Sequence, residues 1–258
     1  MAFKLIKELL HFIPGSVPKT WTSMEEIQSD RPIIILIAGF SSSHSSVRVM
    51  RKRLIKDHYN VLIQPLSYQN VLNGYSGFTA QAQELKRLVE TLRKRTDLKD
   101  QKIFILAHSA GGLIARYYIQ QLQGHRFCAG LVTMATPHEG LWLAALGFFS
   151  HLAIKPKCLY DILPVSKFVR ELNSYNFPSS FPMASFYSQD DVLCPPRLSR
   201  IPDKFRQEPQ VEEHAFIKVS HSGFLFQKQP YLILKKWLQK QFNQSQNPTD
   251  YSSFRKTS

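Results

Sequence analysis

The chain has 258 residues, 43% of them hydrophobic, which is enough to bury one sizeable core, and no internal repeat divides it. Its 33 Lys and Arg against 19 Asp and Glu leave a net charge of +14, gathered in runs such as Arg48-x-x-Arg51-Lys52-Arg53, Arg93-Lys94-Arg95 and Lys235-Lys236. These runs fall on the polar faces of predicted helices and read first as solvated surface, then as attraction to an anionic membrane; no nucleic-acid module accompanies them, so nucleic acid is not an expected partner.

From the N-terminus, Phe3 to Ile13 is amphipathic, with Leu5, Ile6, Leu9, Leu10 and Ile13 on one side and Lys4, Lys7, Glu8 and His11 interrupting it. It is too short and too polar to span a membrane and unlike a signal peptide, which leaves a docking helix or an interfacial one within a segment 1–20. The main domain is expected over 21–242. Pro32-Ile-Ile-Ile-Leu-Ile37 is a fully apolar strand of the kind covered on both faces of a parallel sheet. The spacing then predicts a helix over 45–57, a strand over 60–64 and a long helix over 78–95 with Leu85, Leu88, Val89 and Leu92 inward. A strand at 103–107, a helix at 110–123 and a strand at 129–134 follow. A partly helical insertion covers about 138–182, and after it come strands at 183–187 and 215–219, a last helix around 231–242, and a polar tail, 243–258, expected to be flexible. Strands separated by helices imply an α/β fold with a mostly parallel sheet of about six strands and helices on both faces.

The stretch Lys102-Ile-Phe-Ile-Leu-Ala-His-Ser-Ala-Gly-Gly-Leu113 carries the chemistry. A short apolar strand runs into Ala107-His108-Ser109-Ala110-Gly111 and straight out into a helical pattern. Small residues two before and two after the serine suit a turn so sharp that larger side chains would strike neighbouring backbone, and the turn leaves Ser109 strained and presented. A serine hydroxyl needs a base to take its proton, and the base needs an acid to fix its tautomer. His221, after the strand ending at Val219, is the expected base. His108 is expected to point away from Ser109, His214 to precede its strand, and His138 to be a minor rival at another strand end. Asp191, in the loop after strand 183–187, is the expected acid, with its neighbour Asp190 as the alternative.

Two backbone N–H groups should hold the developing oxyanion: that of Ala110, just after the nucleophile, and that of Phe40, in the loop Ala38-Gly39-Phe40-Ser41-Ser42-Ser43. No phosphate-binding glycine pattern follows that loop, so a nucleotide site is not expected. Cys128, Cys158 and Cys194 are odd in number and lack metal-ligand spacing, which points to reduced thiols; neither a metal nor a cofactor is required.

The chain resembles the α/β-hydrolase superfamily, and within it bacterial triacylglycerol lipases and esterases with an Ala-His-Ser-x-Gly elbow. The resemblance rests on Ile37-Ala38-Gly39-Phe40, Ala107–Gly112, Thr136-Pro137-His138-Glu139-Gly140, Asp161-x-x-Pro164-x-Ser166-x-Phe168-x-x-x-Leu172-Asn173, Asp191-x-x-Cys194-Pro195 and Val219-Ser220-His221, spread over about 32–240. Ala38 stands where such chains usually have His, and Cys194 where Val is common. What the resemblance implies is a cofactor-free serine hydrolase of carboxylic esters, lipidic ones first, with an acyltransferase or phospholipase using the same groups as the alternative. The rival from another class is a catalytically silent hydrolase-fold protein bound to anionic membranes. The apolar insertion, with Trp142, Phe148 and Phe149, reads either as helices packed over the sheet edge or as a lid lining an acyl pocket. With no signal peptide evident, the chain is expected in the cytoplasm, with peripheral membrane attachment as a variant of that location.

Overall fold

The computed structural model describes residues 26–39, 44–64, 77–142 and 160–244. The N-terminal segment, the tail beyond 244 and residues 143–159 of the insertion, Phe148 and Phe149 among them, lie outside the described residues, as does Phe40.

Among the described residues, six parallel strands form one sheet in the order β2-β1-β3-β4-β5-β6. They are β1 (Ile33–Ile37), β2 (Asn60–Gln64), β3 (Ile103–His108), β4 (Gly130–Met134), β5 (Met183–Ser188) and β6 (Val211–Phe216). Between them run α1 (His44–Lys56), α2 (Phe78–Lys94), α3 (Ala110–Gln121), α4 (Lys167–Ser174) and the short α5 (Pro196–Ser199) and α6 (Asp203–Arg206); α7 (Lys228–Gln244) closes the domain. The expected fold class stands, an α/β sheet with helices on both faces.

The apolar run of β1 is buried throughout because both of its faces are covered. Period-two alternation sends Ile33, Ile35 and Ile37 into the core under α2 and α3, with Phe78, Leu85, Leu113 and Ile119. Ile34 and Leu36 enter the other core, with Val47, Met50 and Leu54 of α1 and Leu234 and Trp237 of α7. The helix α2 starts at Gly77, which supplies no side-chain cap. Asp161 takes that role from far along the chain, its Oδ2 accepting from the Phe78 N–H at 2.8 Å.

One strand departs from its expected place. The last one lies at 211–216 rather than 215–219, so His214 sits within it and not before it. The reason is that β6 is an edge strand whose Val211 to Ala215 are only partly covered. Glu212-Glu213-His214 hides it from a reading that looks for apolar runs. Lys218, with φ of 60°, lies in the left-handed region and ends the extended stretch.

After β1 the chain crosses to β2 on one side, and after α2 it returns to β3 on the other. Such a reversal opens a crevice beyond the carboxyl ends of β1 and β3, and parallel sheets place ligands there.

Candidate active site

At that crevice the ends of β1 and β3 nearly touch. A methyl group placed on Gly39 would lie 2.4 Å from the Ser109 Cβ and 2.7 Å from the His108 carbonyl, so the approach requires a residue without a side chain. Ser109 leaves β3 with φ 54° and ψ −130°, a conformation that non-glycine residues avoid, and α3 starts at the next residue. Its amide donates to the Met134 carbonyl at 2.8 Å, and its own carbonyl accepts from Gly112 at 3.0 Å. The sequence asked for a small residue two after the serine. At Gly111 a Cβ would meet Ile37 Cγ2 and the Ile37 carbonyl, each at 2.9 Å.

Three side chains from the ends of three strands converge here. The Ser109 Oγ lies 3.0 Å from the His221 Nε2, and the His221 Nδ1 lies 2.8 Å from the Asp191 Oδ2. A carboxylate can only accept, so Nδ1 carries the proton and Nε2 is left to accept from the serine hydroxyl. The other Asp191 oxygen accepts from the amides of Leu193 at 3.0 Å and Cys194 at 2.9 Å, which fixes the carboxylate in its loop. Serine, imidazole and carboxylate are all buried, with Ser109 8% exposed and Asp191 2%. Burial together with the Asp191 charge pushes the Cys194 thiol up, so Cys194 stays protonated.

Asp190, the alternative acid, is turned the other way. Its Oδ2 accepts from the Lys218 amide at 2.6 Å and so ties the β5 loop to the turn that leads to His221. Gln227 holds the same turn through the Lys218 carbonyl at 3.3 Å. His108, which the sequence reading set aside, holds it a third time. Its Nε2–H donates to the His221 carbonyl at 2.8 Å, with the two rings 4.9 Å apart. His108 is fully buried; first burial and then the nearby His221 charge push its pKa down to about 3, so it is a neutral donor at ordinary pH. The sequence signal was its place beside the nucleophile; its target, more than a hundred residues away along the chain, was not visible there.

His138 stands apart from this group. It is buried between Arg116, whose NH1 lies 3.2 Å from its Nδ1, and the hydroxyls of Thr133 at 3.3 Å and Ser185 at 3.2 Å. Burial and the Arg116 charge hold it neutral. Asn173 completes the network, receiving from the Arg116 NH2 at 3.0 Å and donating to the His138 carbonyl at 2.9 Å. Ser166 caps α4, accepting from the Val169 amide at 3.1 Å while donating to the Asp161 carbonyl at 2.7 Å. Both outlying motifs of the resemblance thus brace the loops after β4. Ala110 is buried at the first residue of α3, where an amide has no partner within its own helix. Trp142 is 58% exposed on the chain following β4.

The model of a family described as "Putative serine esterase (DUF676)" matches residues 28–157, half of the chain. The chain belongs to this family. That membership gives the coarse activity, hydrolysis of carboxylic esters. The matched residues include Ser109 and Gly39; Asp191 and His221 lie beyond them. No curated protein shows significant sequence similarity to the chain. Among solved structures, the chain is similar to the mature lipase BlEst2 of Bacillus licheniformis (14% identity, 86% of this chain and 96% of that one, TM-score 0.62). It is also similar to a soluble variant of monoglyceride lipase from Saccharomyces cerevisiae (18% identity, 86% and 90%, TM-score 0.62). The monoacylglycerol lipase of Paleococcus ferrophilus is a third (13% identity, 82% and 96%, TM-score 0.62). At these identities the likeness is one of fold, the α/β-hydrolase fold.

Proposed function

We propose that the chain cleaves lipid esters through an acyl-enzyme, with Ser109 as nucleophile, His221 as base and then acid, and Asp191 as the group that orients His221. The observation supporting this reading is the unbroken chain of contacts from the Ser109 Oγ to the His221 Nε2 at 3.0 Å and from the His221 Nδ1 to Asp191 at 2.8 Å. Attack of Oγ on the acyl carbon passes the hydroxyl proton to Nε2; the same proton then leaves with the alcohol, and water repeats the cycle to release the acid. The Asp191 charge stabilises the imidazolium that forms in between. The Ala110 amide, and that of Phe40 from the loop after Gly39, are assigned to the oxyanion, each worth a few kcal/mol in the transition state. Lipid rather than small esters are favoured by the lipases among the neighbours of similar fold, and by the apolar insertion that starts at Leu141 and Trp142.

A panel of p-nitrophenyl esters from acetate to palmitate, with mono- and triacylglycerols beside it, tests the reading. The native chain should hydrolyse the longer esters, and Ser109→Ala should fold but lose on the order of 10³-fold or more. Labelling by a fluorophosphonate should disappear with the hydroxyl. A native chain that is inert to every ester and to the probe would make it a silent hydrolase-fold protein.

A further inference from the structure

The helices α1 and α7 lie side by side on one face of the sheet. The Arg53 NH1 donates to the Gln227 carbonyl at 2.7 Å, and the Lys235 Nζ donates to the Asp57 Oδ1 at 2.8 Å, so residues 53–57 run level with 227–235. Neither helix contains an acidic residue, while α1 carries five Lys or Arg and α7 four Lys. The nearby carboxylates are engaged: Asp57 holds Lys235 and Tyr231, and Glu212 holds Lys240 at 2.9 Å. On the opposite face α2 mixes Glu84 and Glu90 among its cations. Ile55 is exposed between Lys52 and Lys56 on the outward side of α1, and Leu232 is exposed one turn from both Lys228 and Lys236 on the outward side of α7. Two apolar side chains at one level of neighbouring helices are thus bracketed by four exposed lysines.

We propose that this face docks on an anionic lipid bilayer, the lysines meeting the headgroups and Ile55 and Leu232 entering the interface. The cations alone would suit any polyanion. The apolar pair decides between them, because phosphates of a nucleic acid would leave it in water, whereas a bilayer offers both the charge and the apolar phase that reversible surface binding requires. The amino-terminal ends of both helices adjoin the site, α1 following β1, whose end meets Ser109 through Gly39, and α7 following His221 after one short turn at Ser222–Leu225, while Lys52, Ile55 and Lys56 lie in the last turns of α1, just before β2.

The test is co-sedimentation of the full chain carrying Ser109→Ala, which makes binding independent of any hydrolysis. Vesicles of phosphatidylcholine, with and without about one-third phosphatidylserine, are compared at low and high salt. Binding should require phosphatidylserine and weaken as salt rises, since screening acts within about 8 Å at physiological strength. Replacing Lys52, Lys56, Lys228 and Lys236 together by Gln should weaken it on the order of a hundredfold. Ile55→Gln with Leu232→Gln should weaken it about tenfold at unchanged charge. In the Ser109 background both sets should hydrolyse a short soluble ester as the parent does, which also shows that they fold. Absence of binding to anionic vesicles, or undiminished binding by the four-Gln variant, overturns the proposal. So does a duplex RNA that binds as tightly as the vesicles and is indifferent to Ile55 and Leu232.

Discussion

The backbone at Ser109 makes a stability prediction that can be separated from chemistry. With φ 54° and ψ −130° the residue sits where an L side chain costs about 1–3 kcal/mol and glycine costs little. Ser109→Ala and Ser109→Gly both remove the hydroxyl and both leave the His221 Nε2 without it, so that loss cancels when the two variants are compared. Glycine then gains the relief of strain and loses about 0.5–1 kcal/mol to unfolded-chain entropy. It also loses the contacts of one methyl group at a site only 8% exposed, at most about 0.8 kcal/mol. At the middle of these ranges the balance favours glycine by about 0.5 kcal/mol. At an unstrained buried position the same exchange would favour alanine by about 1.5 kcal/mol, so the strain shows as a reversal of sign. For a chain of this size about 0.5 kcal/mol moves the melting temperature by about 1–2 °C. Thermal unfolding of the two purified variants, checked by urea titration, should place the glycine variant above the alanine variant while both are inactive. An alanine variant that is the more stable by the full unstrained difference of about 1.5 kcal/mol, about 3–6 °C, would refute the strain.

Asp191→Asn should lower kcat by on the order of 10²–10⁴-fold, because the group facing the His221 Nδ1 loses its charge and its acceptor. Asp190→Asn loosens only the tie to Lys218 and should stay within about tenfold, and the reverse ranking in steady-state kinetics would move the orienting role to Asp190. Two histidines make the fold acid-sensitive. Burial holds His108, with a pKa of about 3, and His138 below the ordinary histidine value, so between about pH 6.5 and 3 the unfolded chain binds protons that the folded chain refuses. Their effect on stability is absent above about pH 6.5, and stability falls as pH drops, by about 1.4 kcal/mol per pH unit for each histidine; urea midpoints measured from pH 7 to 5 check the slope. His108→Gln keeps an N–H for the His221 carbonyl and cannot titrate, so it should retain most of kcat while removing about half of that slope, and His108→Leu should lose kcat with little change in KM. A flat stability profile, or equal kcat for the Gln and Leu variants, would contradict the buried neutral role.

What the sequence made legible follows from how tightly each element constrains its residues. An apolar run such as Ile33–Ile37 has one sensible home, a strand covered on both faces, and the sheet places it between β2 and β3. The turn at Ser109 demands Gly111 and an apposed Gly39 because side chains there would collide, and that leaves a readable pattern. The edge strand β6 was displaced in the reading because half-covered residues need not be apolar. The second tier of the site was invisible for a different reason. His108 reaching the His221 carbonyl, and Asp161 capping α2 at Phe78, join residues far apart in sequence through single hydrogen bonds, and neither bond imposes a local pattern.

The same distinction accounts for where the likeness to other proteins stops. The family model ends at residue 157, yet folds 13–18% identical superpose over 82–86% of the chain, well past that point. The first half contains the crossover at β1 and β3, where atoms 2.4–2.9 Å from a would-be methyl fix residue types directly. Asp191 and His221 sit on loops whose demands are weaker. Each loop must carry one carboxylate or one imidazole to within hydrogen-bond reach, and many backbone routes do so: here a turn held by Asp190, Gln227 and His108 delivers His221 five residues beyond the end of β6. A chain can therefore keep the geometry of its second half while its sequence drifts, so long as each new anchor holds that turn as firmly as the one it replaces.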